Sequence, residues 1–186
     1  MRRVVVTGLG LVTPLGSGVE TSWKRLVAGE SGLGSIQKFD VSDLPAKVAG
    51  VVPRGETAQG LFNADDWVPP KDQRKMDEFI IYAMAAAEQA VADAGWKPEG
   101  AEDCERTAVM IGSGIGGLWE FEVQEERLLH KGIDKVSPFT IPKLMVNSAS
   151  GHVSALFGAK GPNFAVATAC ASAANSIGSA LRAIQY

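Results

Sequence analysis

The sequence predicts a layered α/β domain with a largely parallel sheet. Three short apolar runs (Val4-Val5-Val6, Thr107 to Ile111, and the run from Asn163 toward Cys170) have the uninterrupted character of buried strands. Between them lie segments whose apolar residues recur every three or four positions, the spacing of amphipathic helices. Strands alternating with helices produce parallel pairing, because each crossover returns the chain to the same end of the sheet.

Arg2 to Thr7 is read as the first strand, ending in Gly8-Leu9-Gly10. Ser17-Gly-Val-Glu20 has capping-box spacing and predicts a short helix through Trp23, Leu26 and Val27 that stops at Gly29. Lys47 to Val52 is a further strand candidate, and the Pro- and Gly-bearing stretch from Pro53 to Pro70 reads as an exposed loop. A long helix is predicted from Lys71 to Ala94, with Met76, Ile80, Met84, Ala87 and Val91 on its buried face and Gly95 as its stop. The strand Thr107 to Ile111 feeds the loop Gly112-Ser-Gly-Ile-Gly-Gly117. A helix through Leu118, Phe121 and Leu129 follows and ends near Gly132. Pro142 suits a helix first turn, in a segment closing at Gly158. The strand leading to Cys170 and the helix after it come last.

Composition narrows the function classes. A chain of 186 residues, 46% apolar and 21% charged, is an ordinary globular composition. Its net charge of −3 argues against a general nucleic-acid binder. The two cysteines, Cys104 and Cys170, have no paired spacing, and with only His130 and His152 beside them no zinc motif forms. Reduced thiols and a cytoplasmic location are the expectation. Arg2 and Arg3 before Val4 imitate a secretory signal, but Thr7, Gly8, Gly10 and Pro14 break the apolar stretch. No run approaches the roughly 18 apolar residues of a membrane span.

Chemistry concentrates at Cys170. An apolar strand stops at this thiol, and a helix of Ala, Ser and Gly begins directly after it. The unpaired N–H groups of a helix start favour thiolate, the form that attacks carbonyl carbon. A buried, inert cysteine is the competing reading. Gly112-x-Gly114-x-x-Gly117 matches the dinucleotide fingerprint formally. The second strand ending in Asp or Glu that should hold a ribose is missing, so close backbone approach is the simpler use of these glycines. No cofactor or metal is therefore expected. His152, in an apolar helical segment, reads as a packing histidine, with a dyad to Cys170 as the alternative. Lys71, Arg74 and Lys75 share one helix face, which fits either a solvated surface or a site for an acidic partner.

Several segments together resemble the β-ketoacyl-acyl-carrier-protein synthases, thiolase-fold condensing enzymes, and within them the type II elongation subtype. They are Val4-Val-Val-Thr-Gly-Leu-Gly10, Gln73-Arg-Lys-Met-Asp77, Ile111-Gly-Ser-Gly-Ile-Gly-Gly-Leu118, Ser137-Pro-Phe139, and Gly161-Pro162 leading to Ala167-Thr-Ala-Cys-Ala-Ser172. The resemblance runs over residues 1–186 and covers only the N-terminal half of such an enzyme. It implies half of a duplicated αβαβα architecture, ending before the last strands of the domain, and a homodimer. It implies that Cys170 accepts an acyl chain from acyl carrier protein, with its backbone N–H in the oxyanion hole. Condensation with malonyl-carrier protein follows in the complete enzyme. Ile115 matches an acyl-pocket residue, and Phe139 a pocket residue near the dimer interface. Lys71, Arg74, Lys75 and Lys135 fall where the carrier protein docks. Ala173 and Asn175 stand where Gly and His are common. The family's catalytic histidines and lysine belong to the second half, so residues 1–186 alone are not expected to complete the reaction. The alternatives are a non-catalytic partner subunit, which typically lacks the cysteine, a nucleotide-binding α/β protein, and a ketosynthase domain of a modular megasynthase.

Overall fold

The computed structural model describes residues 2–186. A parallel pair of strands, β5 (Val109–Gly112) and β6 (Asn163–Val166), lies at the centre of the site-bearing region, in the register Val109↔Asn163 to Gly112↔Val166. Helices α7 (Ser148–Phe157) and α8 (Ser172–Gln185) both pack on this pair, and α3 (Glu78–Ala94) packs on α7. This is the expected α/β layering with parallel pairing. Two small antiparallel ribbons precede it: β1 (Val12–Thr13) with β2 (Gly16–Ser17), and β3 (Leu33–Ser35) with β4 (Val48–Gly50).

Helix α3 is the organising element of the core. Asp77 caps its start by accepting from the Phe79 N–H at 3.3 Å, and Gly95 ends it in the left-handed region at φ 61°. Ile80, Ile81, Met84 and Ala85 are buried and join Phe62, Val68, Met76, Val109, Val153 and Ala159 in one cluster. Fully burying side chains such as Phe62 or Ile80 contributes about 1.5–3 kcal/mol each. The opposite use of α3 is small-residue contact. Its Ala86 and Ala90 carbonyls lie so close to Gly10 and Gly8 that any Cβ at either glycine would collide with them. Gln89 and Asp93 then accept the Leu11 and Leu9 N–H groups at 3.1 and 2.9 Å.

Several predicted elements are corrected. Residues 2–7 form no strand: the segment has no ladder partners, leaving Val5 and Val6 at 59% and 79% exposure. Its apolar content called for a neighbouring strand, and none is present among the described residues. The early helix, α1 (Val19–Val27), is present, but Gly18 occupies the cap position, and Ser17 belongs to β2 instead of a capping box. The stretch from Pro53 to Pro70 is not a plain exposed loop. It carries two 3-10 turns, and Phe62 and Val68 within it are each 1% exposed. The predicted helix 71–94 is two helices, α2 (Pro70–Gln73) and α3, separated by a turn ending at the Asp77 cap. The segment 142–157 is likewise α6 (Thr140–Leu144) and α7, because Met145 is extended and redirects the chain. Between β5 and α6 lies α5 (Leu118–Lys131), as predicted, and Cys104 sits half-buried in α4 (Ala101–Arg106). No helix among the described residues is long and apolar enough to cross a membrane.

Candidate active site

Cys170 lies in a 3-10 turn, Ala169–Ala171, directly between β6 and α8, and its thiol is exposed. The strand delivers the chain to this point and α8 carries it away, so the cysteine sits at the end of the helix where the macrodipole is positive. Ala169 has φ 50°, the one left-handed non-glycine backbone among the described residues. Its small side chain limits the cost of that conformation, about 1–2 kcal/mol for a residue with a Cβ.

Side chains from α8 hold the turn. The Ser172 hydroxyl accepts from the Thr168 N–H at 2.9 Å and donates to the Ala169 carbonyl at 2.7 Å. Asn175 donates from Nδ2 to the Thr168 Oγ1 at 2.8 Å. Asn175, noted in the sequence only as a departure from the common residue, thus ties the strand end to the helix. Ser172 is buried, at 4% exposure, and nothing in its residue type or spacing singles it out at first sight. A hydroxyl two residues after a strand-ending cysteine is the signal that could have found it, since such side chains bond local backbone in turns.

The glycine loop packs against this turn. A Cβ on Gly112 would collide with the Ser172 carbonyl group, and one on Gly114 would lie 3.4 Å from the Ala169 oxygen. On the loop's other side, a Cβ at Gly116 or Gly117 would collide with the Leu144 or Lys143 carbonyl of α6. Gly116 also requires its positive φ of 79°. Close backbone approach accounts for Gly112, Gly116 and Gly117, whereas Gly114 makes only an ordinary contact, and the loop is a spacer between the cysteine turn and α6. Ile115 sits on it, 64% exposed, and Phe139 precedes α6 at 40% exposure. The structure thus brings the segments bearing Cys170, Ile115 and Phe139 into one continuous assembly.

Lys71, Arg74 and Lys75 are exposed on and just after α2. Lys75 is paired with Asp72 at 3.0 Å, which holds the Asp72 carboxyl below its ordinary range. Lys135 ends a separate 3-10 turn after α5. His152 lies on α7, half-buried; burial pushes its imidazole down, opposed by the Asp72 charge. The charge it feels is that of Asp72 in α2. Asp77 is pushed up, first by burial, against the hydrogen bond it accepts from Phe79.

A polar cluster that sequence spacing did not reveal lies under the loop. Glu120 accepts from Lys143 Nζ at 3.0 Å and from Gln124 Nε2 at 2.7 Å, and Gln124 in turn accepts the Ser137 N–H at 2.8 Å. Its members stand up to 23 residues apart, and no local pattern links them.

Comparison with known proteins matches this arrangement along its whole length. Residues 1–186 match the family model for the β-ketoacyl synthase N-terminal domain. The chain is 53% identical over 184 residues to a 3-oxoacyl-[acyl-carrier-protein] synthase 2 of Rhizobium meliloti (strain 1021), covering 99% of the chain and 44% of that relative. It is 44% identical over 199 residues to the mitochondrial 3-oxoacyl-[acyl-carrier-protein] synthase of Arabidopsis thaliana, covering 100% of the chain and 42% of that relative. The solved ishigamide ketosynthase/chain length factor superimposes with TM-score 0.83 at 31% identity, over 98% of this chain and 44% of that one. The chain spans less than half the length of the curated relatives it matches. With a family model matched from end to end and the ketosynthase fold around its cysteine turn, the chain belongs to the β-ketoacyl synthase family, as a copy of its N-terminal domain.

Proposed function

We propose that this chain is the N-terminal part of a 3-oxoacyl-[acyl-carrier-protein] synthase and that Cys170 is its acyl-accepting nucleophile. The observation that carries the reading is the exposed cysteine in a strained, side-chain-braced turn at the start of α8. The Cys170 thiolate attacks the thioester carbonyl of an acyl-carrier protein, a tetrahedral oxyanion forms, and the carrier thiolate leaves. Condensation of the resulting acyl-cysteine with a decarboxylated malonyl group draws on groups outside residues 1–186.

Ile115 and Phe139 border the acyl chain, an assignment supported by their exposure on segments fixed to the cysteine turn. Lys71, Arg74, Lys75 and Lys135 meet the acidic carrier protein, which the exposed positive charge around α2 supports. The enzyme acts as a cytoplasmic homodimer. Apolar Ile177 and Ile184 of α8, at 71% and 50% exposure, favour cover by further protein. A non-catalytic partner subunit is disfavoured by retention of the cysteine.

The test is transfer of a labelled acyl group from acyl-carrier protein to the protein, with Cys170→Ala as control. Label that is lost with Cys170→Ala is the expected result. Label retained in that variant would contradict the assignment.

A further inference from the structure

Two segments assigned to the acyl site, the loop bearing Ile115 and the approach to Phe139, converge on a single buried carboxylate. Glu120, in the first turn of α5, is 7% exposed overall, and its ion pair with Lys143 has side-chain exposures of 10% and 16%. A carboxylate this deep is tolerated only when paired and hydrogen-bonded, and here both oxygens are used. One accepts from Lys143 of α6, the other from the amide of Gln124, which is 5% exposed.

Each partner leads to the site by a short covalent and hydrogen-bonded path. Gln124 accepts the Ser137 N–H, and the Ser137 hydroxyl accepts the Phe139 N–H at 3.1 Å. Lys143 donates its own N–H to the Phe139 carbonyl at 3.0 Å, and its carbonyl abuts Gly117. The Leu144 carbonyl, next in the chain, accepts the Gly117 N–H at 3.1 Å and abuts Gly116, beside Ile115. The pull on Phe139 and the seat of the Ile115 loop are therefore set by the same group.

We infer that Glu120 is a positioning residue that fixes Ile115 relative to Phe139 and thereby sets how the site discriminates acyl chains by length. It acts through Lys143 and Gln124 and touches no reacting atom. This rests on the assignment of Ile115 and Phe139 to the acyl chain. A buried polar network with every member satisfied holds one geometry, whereas an apolar contact in its place would allow several. Discrimination between chain lengths is sensitive to such geometry, since each methylene is worth a modest factor.

The experiment compares the rates at which Cys170 takes hexanoyl and dodecanoyl groups from their N-acetylcysteamine thioesters, followed by intact mass. Gln124→Met cuts the arm to Ser137. The double variant Glu120→Gln, Lys143→Met cuts the arm to α6 without stranding a buried charge. Each is expected to change the dodecanoyl-to-hexanoyl rate ratio by about threefold or more. Alkylation of Cys170 by iodoacetamide, which is blind to acyl length, is expected to stay near the unsubstituted rate. Hydrogen exchange on the unsubstituted protein supplies a measurement that needs no variant. The Ser137 and Phe139 amides should be protected about a hundredfold or more. An unchanged ratio in the folded variants, or unprotected amides, overturns the role of Glu120 while leaving Cys170 as nucleophile. Absence of any adduct on Cys170 in the unsubstituted protein overturns the nucleophile assignment and this inference with it.

Discussion

Replacing Gly112 by Ala is the sharpest perturbation of the link between sheet and nucleophile. Gly112 ends β5, and its backbone conformation is one any residue can adopt, so the substitution is not opposed locally. Restricting the unfolded chain would alone stabilise by about 0.4–1 kcal/mol. The added methyl, however, collides with the Ser172 carbonyl group and lies 2.9 Å from the Ala173 nitrogen. These are backbone atoms of the α8 start and cannot rotate away, so the overpacking cost belongs near the upper end of about 1–3 kcal/mol. The net expectation is destabilisation by about 2 kcal/mol, or about 4–8 °C in Tm for a chain of this size. Gly114→Ala is the matched control, because its methyl would meet Ala169 at an ordinary 3.4 Å. It should be neutral or slightly stabilising. Urea denaturation followed by circular dichroism measures both, and iodoacetamide alkylation reports whether Cys170 has moved. Equal stability of the two variants, or a stable Gly112→Ala with unaltered Cys170 reactivity, would refute the claimed contact.

Three further outcomes follow from the same geometry. Ser172→Ala strands the Thr168 N–H and leaves the Ala169 carbonyl with the backbone N–H of residue 172 alone; it should cost about 1–3 kcal/mol by urea denaturation and alter the alkylation rate of Cys170. Asp77 has its pKa raised by burial, so its contribution to stability is present below the unfolded value and lost as pH rises through the folded one. Asp77→Asn keeps a capping side chain, and in thermal melts it should be more stable than the unsubstituted protein at neutral pH, with the advantage vanishing in acid. Lys71→Glu with Arg74→Glu should weaken acyl-carrier-protein binding about tenfold at low salt, less so as salt rises, with stability changed by no more than about 0.5 kcal/mol.

The parts legible in the sequence were those with local causes. Strand–Cys–helix at Cys170, the Gly95 stop of α3, and the glycine loop after β5 each follow from residue type and spacing, and each stands where expected. The misreadings were tertiary. Val4 to Val6 looks like a strand by composition, but a strand exists only with a neighbour to bond; the chain that lies along α3 is the one after it, through Gly8 and Gly10. Phe62 and Val68 were hidden by surrounding proline and glycine, although an aromatic in such a stretch can fold inward, as Phe62 does against Tyr82 at 5.0 Å. The break before α3 had a readable cause in Asp77, which the helical periodicity of its neighbours masked. Glu120 with Lys143 had none, since their pairing depends on how α6 is laid over α5.

The claim that this domain presents an acyl-accepting cysteine is tested most directly by peptide mapping after exposure to an acyl thioester. Cys170 is exposed in its turn and Cys104 is half-buried in α4, so the two cysteines serve as internal controls for one another. The adduct is predicted on the peptide containing Cys170, with Cys104 unmodified. An adduct confined to Cys104, or none on either cysteine, would contradict it.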